Sequence, residues 1–177
     1  MDSLVNLLIA LPARIAAHFS WAGPLYARLV VGYVFMWTGW QKLNNLEVMT
    51  QRFAEWGIPL PALMTPFASG VEFVGGIALI LGLFTRIFGA QLAFVMIVAV
   101  SVAKFGDWLT GWRAGESSID GLLGFEEFTY MAVFFWLAVA GPGKVSLDYL
   151  LLRKAGQDDE ANSMSGSMSK SSMSKSM

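Results

Sequence analysis

Polar positions are sparse along this chain, and they cut it into apolar windows. Ala22 to Trp40 is interrupted only by Arg28 before the polar group Gln41, Lys42, Asn44 and Asn45. Met64 to Phe84 carries one ionisable residue, Glu72, and stops at Thr85-Arg86, while Ile87 to Ala103 carries none. Leu122 to Ala140 holds Glu126 and Glu127 near its start and closes at Gly141-Pro142-Gly143, a helix-stopping combination. A hydrocarbon layer about 30 Å thick is crossed by about 20 helical residues rising about 1.5 Å each. The four windows therefore predict an all-α polytopic membrane protein, a four-transmembrane-helix bundle whose second and third spans are joined by a tight turn.

The flanking segments read differently. Over residues 1–20, Leu4, Leu7, Leu8, Leu11 and Ile15 share one helical face, and Asp2 stands where a signal peptide would be basic. This pattern predicts an N-terminal interfacial helix. Leu46, Met49, Phe53 and Trp56 alternate with Glu47, Gln51, Arg52 and Glu55 before Gly57, Pro59 and Pro61, which predicts a short helix on the membrane surface. The stretch from Lys104 to Gly121 is expected to be a loop, its Trp108 and Trp112 suited to the headgroup region. Both segments follow odd-numbered spans and share one end of the bundle, as interfacial anchors or as a lid.

Three units follow: 1–20, a four-helix membrane domain over 22–150, and a Ser/Met/Lys-rich tail over 155–177 that is expected to be disordered because it has nothing to bury. Met164, Met168, Met173 and Met177 are soft thioether ligands that suit Cu(I), but no helical run holds them in one geometry. A solvated tail is the plainer reading, and no metal site is assigned.

Composition agrees with the membrane reading. Of 177 residues, 55% are hydrophobic and 14% charged, with mean hydropathy +0.55, where soluble domains carry about 25% charged residues. Twelve basic against thirteen acidic residues give a net charge of -1, which leaves no electrostatic footprint for a nucleic acid. The absence of cysteine excludes disulfides and thiol chemistry within the chain, and His18 as the one histidine excludes a multi-histidine metal site. Four spans put both termini on one face. Arg14, Arg86, Lys144, Arg153 and Lys154 on that face against Lys42, Arg52, Lys104 and Arg113 on the other favour a cytoplasmic location for the termini.

Candidate chemistry lies in the charges inside the spans, since an ionisable group within hydrocarbon costs about 3 kcal/mol even on insertion scales. Glu72 lies about 12 Å below the end marked by Met64, Glu126 about 6 Å below the same end, and Lys42 sits at that end. Arg28 starts about 9 Å from the opposite face and reaches Glu72 only at full extension. Two readings fit: a polar pocket whose desolvated carboxylate exchanges protons with an apolar membrane ligand such as a quinol, or a structural network that fixes helix register.

Several local patterns also occur in order: Ala27-Arg28-Leu29; Gly39-Trp40-Gln41-Lys42-Leu43; Gly57-Ile58-Pro59; Val71-Glu72-Phe73-Val74-Gly75-Gly76; Leu81-Gly82-Leu83-Phe84-Thr85-Arg86; Gly124-Phe125-Glu126; and Gly141 to Asp148. Together, over Tyr26 to Tyr149, they resemble the DoxX family of small four-helix membrane proteins, related to the DoxD subunit of thiosulfate:quinone oxidoreductase. The resemblance implies a bacterial or archaeal cell membrane, a four-helix architecture and association with oxidoreductase systems, and Arg28, Lys42, Glu72, Arg86 and Glu126 fall on the family's polar positions. The lack of cysteine and the Ser/Met tail depart from the family pattern, so any sulfur chemistry would need a partner or ligand.

The combined expectation is a membrane subunit or partner of a quinone-linked oxidoreductase in the cell inner membrane. In it Glu72 and Glu126 are the proton-accepting or hydrogen-bonding groups, and Arg28, Lys42, Gln41 and Arg86 are the ligand-binding candidates. Its partners would be the lipid bilayer, a quinone or quinol, and a soluble oxidoreductase. The alternative is a non-catalytic membrane anchor or assembly factor for a soluble redox or stress-response protein.

Overall fold

The computed structural model describes residue 8 and residues 10–157. The expected tail beyond residue 157, with its four methionines, and the first residues of the expected interfacial helix lie outside the described residues. The elements are α1 (Leu11–His18), α2 (Ala22–Asn44), α3 (Leu46–Glu55), α4 (Pro61–Leu81), α5 (Thr85–Ala103), α6 (Phe105–Ala114), α7 (Ile119–Leu123) and α8 (Glu126–Ala140). A last helix, α9, covers 147–157 in its described part, and no strand occurs among the described residues.

Local chemistry moves several boundaries from their expected places. α4 starts at Pro61, three residues before the expected span, because proline at the first helical position has its φ preset and needs no N–H partner. It ends at Gly82, which takes the left-handed conformation (φ 68°). Phe84 is also left-handed (φ 49°) and is held there by Asp148, whose carboxylate accepts from the N–H groups of Phe84 (2.7 Å) and Thr85 (3.0 Å) at the start of α5. The expected loop after Lys104 is instead helical as α6. Trp108 and Trp112 stack one turn apart with ring centres at 5.4 Å, and Gly115 closes the helix in a left-handed turn.

The expected fourth span is divided. Ser118 accepts from the Gly121 N–H at 3.2 Å and so caps α7, and extended Phe125 separates α7 from α8. α8 keeps 15 residues, about 22 Å of helix. α4 and α5 are long and apolar enough to cross a membrane; α2 is longer, at 23 residues, but carries Arg28, Gln41, Lys42 and Asn44.

Two tight pairs make the bundle, α2 with α4 and α5 with α8, and they meet more loosely through α4 with α5 and α2 with α8. The α2–α4 approach is set by glycine. A Cβ at Gly39 would lie 2.5 Å from the Phe73 nitrogen, and one at Gly76 would collide with the Met36 nitrogen and the Gly32 carbonyl. In hydrocarbon such close backbone contact supplies the packing that the hydrophobic effect cannot. A central core joins the pairs: Phe35 packs edge-on against Phe134 (4.7 Å) and Tyr130 (5.3 Å), beside fully buried Leu79, Leu92 and Leu137. Outside it, Phe67, Ile87, Phe94, Phe135 and Val139 are exposed, an arrangement that suits lipid and would be costly in water.

This packing makes a paired prediction. Gly76→Val should destabilise the folded protein in detergent by about 2 kcal/mol or more through overpacking, seen as a lower unfolding temperature. Gly70→Ala, where a Cβ meets nothing within 4 Å, should leave that temperature unchanged or raise it slightly.

Candidate functional site

At the end of the bundle where α2 and α5 finish, the two helix pairs separate and leave a cavity of about 720 Å³. Its walls are apolar, with Phe35 from α2, Met49 and Phe53 from α3, Met64 and Val71 from α4, and Val95, Met96 and Ala99 from α5. α3 therefore closes one side of the cavity and packs on α4, with Phe53 buried. It is more than a surface helix.

Two ion pairs stand on these walls. Lys42 Nζ donates to both carboxylate oxygens of Glu72, at 2.7 and 2.6 Å; the lysine side chain is 30% exposed and the glutamate 5%. The α2–α4 glycine contacts put Gly39 level with Phe73, so a lysine one turn later in α2 arrives beside Glu72. Pairing offsets the cost of the buried carboxylate, and an ammonium has three N–H donors, so Lys42 keeps one for a ligand. The second pair is Lys104 with Glu127, at 2.7 Å to Oε1 and 2.8 Å to Oε2. Lys104 also lies 5.1 Å from the Phe125 ring centre, a cation–π distance. Thr38, Gln91, Glu126 and Tyr130 complete the polar lining.

Three of the expected site residues, Lys42, Glu72 and Glu126, meet in this cavity. Glu126 is exposed at the start of α8, and its neighbour Glu127 makes the ion pair, because one residue on a helix turns the side chain through about 100°. The other three lie elsewhere. Gln41 is exposed and outside the cavity lining, since Lys42 takes the inward position.

Arg28 does not reach toward Glu72. It is 1% exposed at the opposite end, where Nε donates to the Pro24 carbonyl at 3.3 Å and Nη2 to the Val145 carbonyl; its Nη1 has no partner among the described residues. Glycine at position 82 makes room for that guanidinium. Arg86 sits on the same end and donates from Nη1 to the carbonyls of Ala138 (3.2 Å) and Val139 (2.6 Å), satisfying the last turn of α8.

Lys104, Glu127 and Gln91 were not singled out by sequence reasoning. Gln91 carried a usable signal, as the one polar side chain between Arg86 and Ser101 in an otherwise apolar run. Among the described residues no group of three or more His, Cys, Asp or Glu could hold a metal.

Comparison with known proteins matches residues 23–105 to the DoxX family model. The chain is 28% identical to the inner membrane protein YphA of Escherichia coli over 70% of this chain and 86% of YphA. It is 29% identical to the inner membrane protein YqjF of the same organism over 75% and 94%. To CatD of Bacillus subtilis, provisionally named an oxidoreductase, it is 33% identical over 57% of this chain and 71% of CatD. No solved structure matches.

The Lys42–Glu72 geometry predicts a non-additive pair of substitutions. Lys42→Met leaves a buried carboxylate without its cation and should cost about 2–3 kcal/mol, less than a fully enclosed pair because Lys42 is partly open. Lys42→Met combined with Glu72→Leu should recover most of that loss, read as unfolding temperature in detergent across the double-mutant cycle.

Proposed function

Because the chain belongs to the DoxX family of membrane proteins, we propose that it is the membrane component of a quinone-linked oxidoreductase system and holds a quinone or quinol in the cavity. The observation that carries this reading is one chamber with apolar aromatic walls and two carboxylate–ammonium pairs. A ring ligand that lives in the bilayer needs the first, and its two oxygens need the second. A quinone carbonyl would accept from the free N–H of Lys42, and a quinol hydroxyl would donate to Glu72. On oxidation a quinol releases two protons and two electrons. Glu72 and the α8 carboxylates Glu126 and Glu127 are placed to take the protons, while the electrons pass to a soluble oxidoreductase partner. The provisional oxidoreductase name of CatD supports this assignment.

In the same proposal α2, α4, α5 and α8 are the four spans, in a bacterial inner membrane like that of YphA and YqjF, with both termini cytoplasmic. Arg28 and Arg86 then serve the closed end of the bundle and bind no ligand.

Protein purified gently from its own membrane should carry quinone at about one molecule per chain on organic extraction and mass spectrometry. Glu72→Gln should lose most of it while staying folded. Quinone no more abundant in the wild-type protein than in bulk lipid would sink this reading and favour a non-catalytic anchor.

A further inference from the structure

Gln91 is a polar side chain in the middle of α5, whose remaining helix from Ile87 to Val100 is apolar. The side-chain hydrogen bonds of α5 and its ends are made by Arg86, Ser101 and Lys104, and none among the described residues engages the Gln91 amide. Gln91 is half-buried, so its amide stays accessible, and a polar side chain at membrane depth marks a ligand path. Gln91 lines the cavity that holds Glu72. The register of the two helices gives its depth. Gly75 packs on Leu92, a Cβ there lying 3.2 Å from its side chain, so in this antiparallel pair Glu72 is level with about residue 95. Gln91 is then one helical turn, about 5–6 Å, deeper than Glu72 along the same wall.

A second feature meets the cavity at this residue. A groove of about 380 Å³ runs between α4 and α5 on the outer face, past Pro66, Gly70 and Phe88, and Phe67, Val71 and Gln91 belong to both groove and cavity. Gly70 leaves open space there, and Phe67 is exposed on the outer side.

Resting on the quinone reading above, we infer that Gln91 is the inner hydrogen-bonding arm of the site, and that the ligand is a para-dioxygenated ring whose apolar tail leaves through the α4–α5 groove into the bilayer. The two oxygens of such a ring lie on opposite sides, a separation comparable with one helical turn. One oxygen meets Lys42 and Glu72, and the other accepts from the Gln91 amide. A ring with a single oxygen can use one arm only. The side opening lets a molecule with a long apolar tail reach the chamber without passing through water.

The test is binding of a ten-carbon-tailed benzoquinone to the full chain in lipid nanodiscs, read by quenching of tryptophan fluorescence, with a para-alkylphenol of the same tail as the one-oxygen probe. Gln91→Leu should weaken benzoquinone binding about tenfold, the scale of one lost hydrogen bond to a ligand, and leave the alkylphenol unchanged. Its unfolding temperature should not fall, since the substitution removes a polar group from an apolar helix. Gly70→Phe should weaken the tailed benzoquinone and spare tailless benzoquinone. Equal benzoquinone affinity in wild type and Gln91→Leu overturns the role of Gln91, and if Glu72→Gln still weakens binding, the quinone reading stands without it. No benzoquinone binding by the wild-type protein overturns both.

Discussion

Backbone contact between α2 and α4 at Gly32, Gly39 and Gly76 sets the register on which the rest of this structure depends. With no side chain between the helices at these points, one cannot slide along the other without a collision. That lock places Lys42 beside Glu72 and turns a charge that hydrocarbon would reject into half of a bidentate pair. The same closeness also shapes the cavity beside that pair. α2 and α4 act as one slab and α5 and α8 as another, and at one end the slabs diverge, so the space between them becomes the cavity.

The two ends of the bundle use charged residues in opposite ways. At the closed end Arg28 and Arg86 spend their donors on backbone carbonyls of Pro24, Val145, Ala138 and Val139, and Asp148 accepts from the first N–H groups of α5. Each of these contacts satisfies a helix terminus or a connection, which is the need that a non-aqueous surrounding makes acute. At the open end Lys42, Glu72, Lys104 and Glu127 pair side chain to side chain on the wall of a chamber. The salt-bridged side chains line that chamber, and the two arginines do not. The proposed proton-exchanging ligand is accordingly assigned to this end.

The quinone reading gains from how the polar groups are spread. They stand at separate levels of one apolar wall, with Lys42 and Glu72 above Gln91, so that a flat ring with oxygens at both edges meets a partner at each. Phe35, Phe53 and Tyr130 also line the cavity and would serve the ring faces of the proposed ligand. The groove between α4 and α5, where Gly70 leaves open space, would suit a ligand delivered from lipid.

Much of this was readable along the chain. The apolar windows and their breaks specified a helical protein and the positions of its first long helices, because hydrophobic periodicity and the Pro and Gly signals at helix ends act locally. Depth counting along single helices also brought Lys42, Glu72 and Glu126 toward one end. Rotation and register were beyond it. Whether Glu126 or Glu127 pairs with Lys104 differs by one residue, and the choice rests on how α8 packs against α5. Arg28 turned to Val145 and not to Glu72 because Gly82 and the 141–148 segment, more than fifty residues away in sequence, fold over it. The break at Gly124-Phe125 depended on Phe125 taking an extended backbone conformation, which an apolar count does not register. Local sequence determined where the first long apolar helices run and how deep their charges lie; only the tertiary packing decided which charges meet, because contact between helices is set by glycine-sized gaps that hydropathy does not encode.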